Sequence, residues 1–232
     1  MSDLIHLLQQ VPLHDKVKQK IVTRLNEPHR HFHNLDHVVQ MWRWHTELSH
    51  GRFDDGVVAS FCLYHDAVYD PLAYRGNNEE KSANLWLEAS LAVAPATRQQ
   101  TDSAILASAD HFNNRCEQHV GDCTLCWCLD LDLMSLGSSD EQFVQFGRKM
   151  RAEYTHLSDL AWIKKSAEFR AKVMAQPRIF VCELLGDFEL QARRNLTKAL
   201  MQDWLMLGYL HDVPFRKPDH SHDLRGDQLT ST

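Results

Sequence analysis

Val57-Val58-Ala59-Ser60-Phe61-Cys62-Leu63-Tyr64-His65-Asp66 is an apolar run that ends in a histidine and an aspartate. On a helix, Val58, Phe61 and Cys62 precede His65 by seven, four and three residues, so the imidazole extends a buried face. A histidine and a carboxylate turned inward together need partners, because burying them unpaired is costly. A metal ion is one such partner. Imidazole and carboxylate suit Mg, Mn, Fe, Co, Ni or Zn. Two further residues fit this reading, His37 upstream and Asp132 downstream.

Outward from this stretch, glycine (9) and proline (7) are scarce and alternating β-branched runs are absent. Apolar residues recur at spacings of three and four, so the chain reads as all-α. The expected helices cover about 2–11, 14–26, 35–49, 55–66, 78–93, 98–112, 122–136, 139–153, 158–175 and 183–208. Asn34 is a good N-cap for the third, which carries Leu35, Val38, Val39 and Trp42 inward. No repeat or linker divides the chain. One domain is expected over 1–217, with residues 218–232 a disordered tail.

With 232 residues and 44% apolar content, the chain can build a substantial core. A net charge of −6 argues against a broad nucleic-acid footprint, which needs clustered Lys and Arg. It leaves room for a small phosphorylated substrate. The first residues lack the basic and apolar regions of an export signal, and no apolar run is long enough to span a membrane. A cytoplasmic protein with reduced thiols is therefore the expectation.

His37 falls in the first turn of its helix, three residues after the cap, and His33 lies four residues before it. Asp132 stands on the apolar stripe with Leu125, Leu129 and Leu136, where an unpaired carboxylate does not belong. Asp130 also has apolar neighbours in Cys126, Trp127 and Met134, so spacing alone does not choose between the two.

The order His37, His65-Asp66, Asp132 resembles the H…HD…D pattern of the HD-domain metal-dependent phosphohydrolases. The likeness extends to His33-Asn34-Leu35-Asp36-His37, His65-Asp66-Ala67-Val68-Tyr69-Asp70-Pro71, Asn78-Glu79-Glu80-Lys81-Ser82-Ala83 and Leu131-Asp132-Leu133-Met134-Ser135-Leu136-Gly137. These stretches are similar to a bacterial branch of predicted HD-superfamily hydrolases. Arg151-Ala152-Glu153-Tyr154 and Ala192-Arg193-Arg194-Asn195-Leu196 resemble its C-terminal half, so the likeness covers about residues 10–205. It is specific for fold and metal site and poor for the substrate. It implies a single HD-type helical bundle with a divalent ion between helices, held by His37, His65, Asp66 and Asp132. It selects Asp132 over Asp130, and it implies Asp66 as proton acceptor, metal ligand or both.

The function this implies is hydrolysis of a phosphate ester in a nucleotide or other small phosphorylated metabolite by metal-activated water. Phosphomonoester cleavage is the first expectation, with phosphodiester and pyrophosphate cleavage as rivals. The alternative from another class is a non-catalytic metal- or nucleotide-binding regulatory module of the same fold. No glycine-rich phosphate cradle is present, which argues against ATP-driven chemistry.

Asp70 and Glu79 are candidates for orienting water or protonating the leaving oxygen; the plainer reading is capping or loop charge. His33, His111, Arg178, Arg193 and Arg194 are candidates for substrate phosphate. For His111 the plainer reading is a helix-end histidine, and for the arginines surface salt bridging. Cys123, Cys126 and Cys128, with Cys116 and His119 near, could hold zinc. On a continuing helix, however, Cys126 and Cys128 point apart, and buried cysteine commonly acts as a small hydrophobe. The cluster is therefore expected to be structural.

Overall fold

The computed structural model describes residues 2–113 and 123–208. Cys116, His119 and the tail from Pro218 fall outside the described residues. Among those residues the chain is all-α, with ten helices and no strand. They are α1 (Ser2–Gln10), α2 (Asp15–Leu25), α3 (Leu35–Leu48), α4 (Asp55–Tyr64), α5 (Asn77–Ala89), α6 (Pro95–Ala107), α7 (Thr124–Leu133), α8 (Asp140–Glu153), α9 (Asp159–Met174) and α10 (Gly186–Met206). No helix among the described residues is long and apolar enough to cross a membrane.

The quoted run is the centre of the bundle. Every residue of α4 from Val57 to Tyr64 is buried. A helix apolar on all sides is stable only when other helices surround it, and α1, α2, α3, α5, α6 and α7 pack around α4. Asp54 caps it by accepting from the Val57 N–H at 2.9 Å. One continuous core runs from Leu7 to Leu196, with Trp42, Trp86, Trp127 and Phe180 among its buried members.

Several helix ends differ from the periodicity; the fifth helix stops at Ala89 and not near 93. The sixth helix starts at Pro95, not near 98, because proline is preorganised for a first helical turn. It ends at Ala107, and a 3-10 turn over Ser108–Asp110 leads to His111. The central helix ends at Tyr64, not at 66. The reason is a competing donor. The buried Arg30 guanidinium donates to the Asp66 carbonyl at 2.6 Å and to the Ala67 carbonyl at 3.3 Å. The Val68 N–H turns to Ser82 Oγ at 3.0 Å. His65-Asp66 therefore sits in a turn just beyond the helix, with its backbone held from two sides.

At the other end of the bundle, α10 grips the Met134–Gly137 turn that follows α7. Asn195 donates to the Leu136 and Ser138 carbonyls, both at 2.8 Å. Gly137 allows the approach: a Cβ there would stand 2.7 Å from the Phe188 carbonyl oxygen and 3.0 Å from its Cβ. Gly137→Ala is expected to destabilise the protein by about 1–3 kcal/mol through overpacking. Urea unfolding measures it, and unchanged stability would contradict this packing.

Candidate metal centre

Four elements deliver the site. Asn34 fixes the start of α3 by accepting from the Asp36 and His37 N–H groups at 3.0 and 3.3 Å. That cap sets His37 in the first turn. The end of α4 supplies His65-Asp66, the last turn of α7 supplies Asp132, and the turn after α6 supplies His111. Asp132 is the meeting point. Its Oδ1 lies 3.1 Å from His37 Nε2 and 3.6 Å from His65 Nε2, and its Oδ2 lies 2.8 Å from His111 Nε2. One ligand atom from each of His37, His65 and Asp132 lies within 4.8 Å of the other two, a grouping that could hold a metal ion.

The donor set fits a cation. His65 Nδ1 sits 3.1 Å from the Cys62 carbonyl and 3.2 Å from the Phe61 carbonyl. Carbonyls only accept, so Nδ1 carries a proton and Nε2 is the nitrogen turned inward, the one a metal would take in place of its proton. His65 Nε2 and Asp66 Oδ2 lie 3.0 Å apart, yet neither has a hydrogen-bond partner of acceptable geometry. Buried polar atoms are seldom left so. A positive charge between these groups resolves both. Asp66 contacts His65 but lies outside the three-residue grouping, so the expected set of four appears as three close ligand atoms and a neighbour.

Electrostatics point the same way. Burial opposes ionisation of Asp132, but His65 and the bonds from His111 and His37 outweigh it and hold the carboxyl well below the usual range. Burial likewise opposes the charge on Asp66, and His65 and His33 outweigh that. Burial would neutralise His65, but Asp66 and Asp132 raise it to about 9. The metal-free cluster thus retains a proton where a cation belongs.

Asp130, which spacing left open, has a different task. It is fully buried and accepts from the Val181 and Cys182 N–H groups at 3.0 and 2.7 Å. It pins the 179–182 segment to α7 and does not join the cluster. Cys126 and Cys128 are buried on the same helix.

Beside the cluster stands a group the sequence reading did not single out. Glu153 is 4% exposed. Its Oε1 accepts from the N–H groups of His31, Phe32 and His33 at 2.7, 2.6 and 2.9 Å. Its Oε2 meets His33 Nδ1 at 2.6 Å and the Tyr69 hydroxyl at 2.9 Å. Burial works against the charge, but these donors prevail and set the carboxyl at about 2. The His33 ring stacks on Tyr69, with centroids 4.3 Å apart. One signal could have found Glu153: an acid in the last turn of a helix opposes the helix dipole and so needs other partners. Arg30 was missed as well; it sits among histidines and gave no periodic signal.

The remaining candidates divide. His33, His111 and Asp132 line one cavity of about 520 Å³. Asp70 is exposed and caps its own turn, Oδ1 accepting from the Leu72 N–H at 2.9 Å, which is the plainer of its two readings. Glu79 stands half-buried in the first turn of α5 and does not line the cavity. Arg178, Arg193 and Arg194 do not line this cavity. Arg193 pairs with Glu189 at 2.7 Å and donates to the Gln176 and Pro177 carbonyls at 3.0 Å, so it ties α10 to the segment after α9. Arg178 and Arg194 are exposed. The cations that line the cavity are Lys165, Arg170 and Lys172 of α9. No protein-family profile, curated protein or solved structure matches the chain.

Two outcomes follow from this geometry. Glu153→Ala strands three backbone N–H groups, a histidine and a tyrosine hydroxyl, and is expected to cost about 3–5 kcal/mol in urea unfolding, as for other broken buried charge pairs. A loss under about 1 kcal/mol would show that the clamp does not hold the loop. The second outcome concerns pH. His65 rises from its ordinary 6.5 to about 9 in the metal-free fold, so its stabilising proton is fully present below 6.5 and lost as pH climbs through about 9. An incoming ion must displace that proton. Metal affinity is therefore expected to climb with pH up to about 9, by about tenfold per unit where one proton is released. Chelator competition checks it, and a flat profile would count against His65 as a ligand.

Proposed function

We propose that this chain is a metal-dependent phosphohydrolase of HD type, acting on a nucleotide or other small phosphorylated metabolite. The observation that carries the reading is the convergence of His37, His65 and Asp132, with Asp66 and His111 beside them, at a cavity large enough for such a substrate. The order of these residues resembles the HD pattern, and the helical surroundings suit it. His37, His65 and Asp132 would hold the ion, with Asp66 in reach through His65. The chemistry such an ion supplies is polarisation of a phosphoryl oxygen and acidification of water.

The chain's own groups divide the remaining work. Asp66 stays ionised at neutral pH and is suited to accept a hydrogen bond from the attacking water and orient it. His33 is suited to the leaving oxygen. Glu153 occupies its Nδ1, which leaves Nε2 for the cavity that the ring lines. Burial would discharge this histidine, but the charge of Asp66 and the bond and charge of Glu153 outweigh it and raise its pKa, which favours the protonated form. His111 is placed against Asp132, on the face a phosphate would meet. Phosphomonoester cleavage is the first reading, with diester and pyrophosphate cleavage as its rivals. A regulatory module would share the site and lack turnover.

Protein loaded separately with Mn, Mg, Co, Ni, Fe or Zn is expected to release phosphate from small esters, and reaction in oxygen-18 water should place the label in the phosphate. Asp132→Ala should lose bound metal and fall to about one hundredth of the activity or less, since even residues behind metal ligands cost 10- to 100-fold. Tight nucleotide binding without turnover across the whole panel would favour the regulatory module. Full metal and activity in the His37, His65 and Asp132 alanine variants would remove the site itself.

A further inference from the structure

We infer that the substrate of this site carries a flat ring, whose apolar faces the wall between α8 and α9 holds while the phosphate lies at Asp132. The inference deepens the phosphohydrolase reading and rests on it for the polar end. Phe143, Phe146, Gly147 and Met150 follow helical spacing on α8 and line the cavity. All four are half-buried. Trp162, Ser166 and Phe169 form the matching stripe on α9. An apolar stripe normally closes on a neighbour. Here each helix has its support elsewhere, α8 on the Met134–Gly137 turn and α9 on α10. Trp162 also meets the Tyr154 ring at 5.2 Å and Phe146 the Phe32 ring at 5.7 Å, and what remains of the two stripes faces the same space.

That space is continuous with the metal centre, because His33, His111 and Asp132 line it too. Its volume of about 520 Å³ lies inside the roughly 300–1,000 Å³ typical of small-molecule sites. The wall chemistry restricts the occupant. A simple sugar phosphate would bring its hydroxyls against these aromatic faces, where they find no partner. The stripes offer aromatic faces, and Lys165, Glu168, Arg170 and Lys172 of α9 stand beside them in the same lining. A flat ring laid on the aromatic faces, with its polar substituents turned to these charged groups, fits this lining. Gly147 gives a direct handle: a Cβ there meets nothing within 4 Å, so a larger side chain would grow into the cavity without displacing the fold.

The test uses the full chain loaded with Mn and two inert probes, 1-naphthylphosphonate and methylphosphonate, titrated by calorimetry. The naphthyl probe is expected to bind about 50-fold tighter or more, from burial of its ring. Gly147→Leu should reduce that ratio at least about tenfold, with metal content measured alongside. Trp162→Ala serves if the leucine variant does not fold. Equal affinity for the two probes, or a ratio indifferent to both variants, would overturn the inference and leave the phosphohydrolase reading standing. Naphthyl preference in a protein that turns over no ester would support the pocket and overturn the phosphohydrolase reading. A dimer in sedimentation that Phe169→Glu splits would give the cavity to a second copy and overturn the proposal.

Discussion

The arrangement depends on one buried carboxylate. Glu153 closes α8 and takes five donors, three of them consecutive backbone N–H groups of His31, Phe32 and His33. Three aligned amides form a concave anion seat, and the charge that fills it is removed from water at a cost only this many bonds can offset. The consequence is positional. The loop so held leads directly into Asn34, the cap of α3, and hence into His37. Arg30 completes the joint from the other side, binding the His33 carbonyl at 3.1 Å as well as those of Asp66 and Ala67. One anion and one cation thus fix the two segments that carry three of the site's histidines.

With the backbone fixed, the side chains are left in a configuration that favours positive charge. Asp132 lies close enough to Asp66 to disfavour its ionisation, yet both remain ionised because histidines surround them. The contrast with Asp130 is instructive. Two residues away on α7, it accepts from two backbone amides. Asp132 has imidazoles as its partners, and an imidazole can give up its proton to accept a metal. The same residue type on one helix is structural in one position and poised for a ligand in the other, and the difference is what faces it.

The helices were legible in the sequence because apolar spacing reports a buried face directly. The start at Pro95 and the early end at Tyr64 were not, since the first is a cap effect and the second is imposed by Arg30 from another segment. Inward placement of His65 and Asp132 was legible for the same reason as the helices. The choice of Asp132 over Asp130 needed the family resemblance, because both positions have apolar neighbours within one turn. Glu153 acts on residues about 120 positions away in the chain, and no local pattern encodes such a contact. Arg193 was read as a phosphate contact, yet a cation near the end of a chain cannot be told from a clamp until its acceptors are seen; here they are Glu189 and two carbonyls.

The anchors also explain why the cavity stays open. Periodicity shows that α8 and α9 each carry an apolar stripe but not what the stripe meets. Glu153 fixes the end of α8 to the site loop, while Ser139 caps its start beside the turn gripped by α10. Arg170 bonds Asp203, which holds α9 to α10. Collapse of the stripes onto each other would bury more apolar surface, but it would break these bonds and strand buried charges. Loss of one partner of a buried pair costs about 3–5 kcal/mol, against about 25 cal/mol for each Å² of apolar area gained. Closing the gap would therefore need well over 100 Å² of new burial for each anchor broken. The polar clamps that position the metal centre thus also keep an apolar chamber beside it.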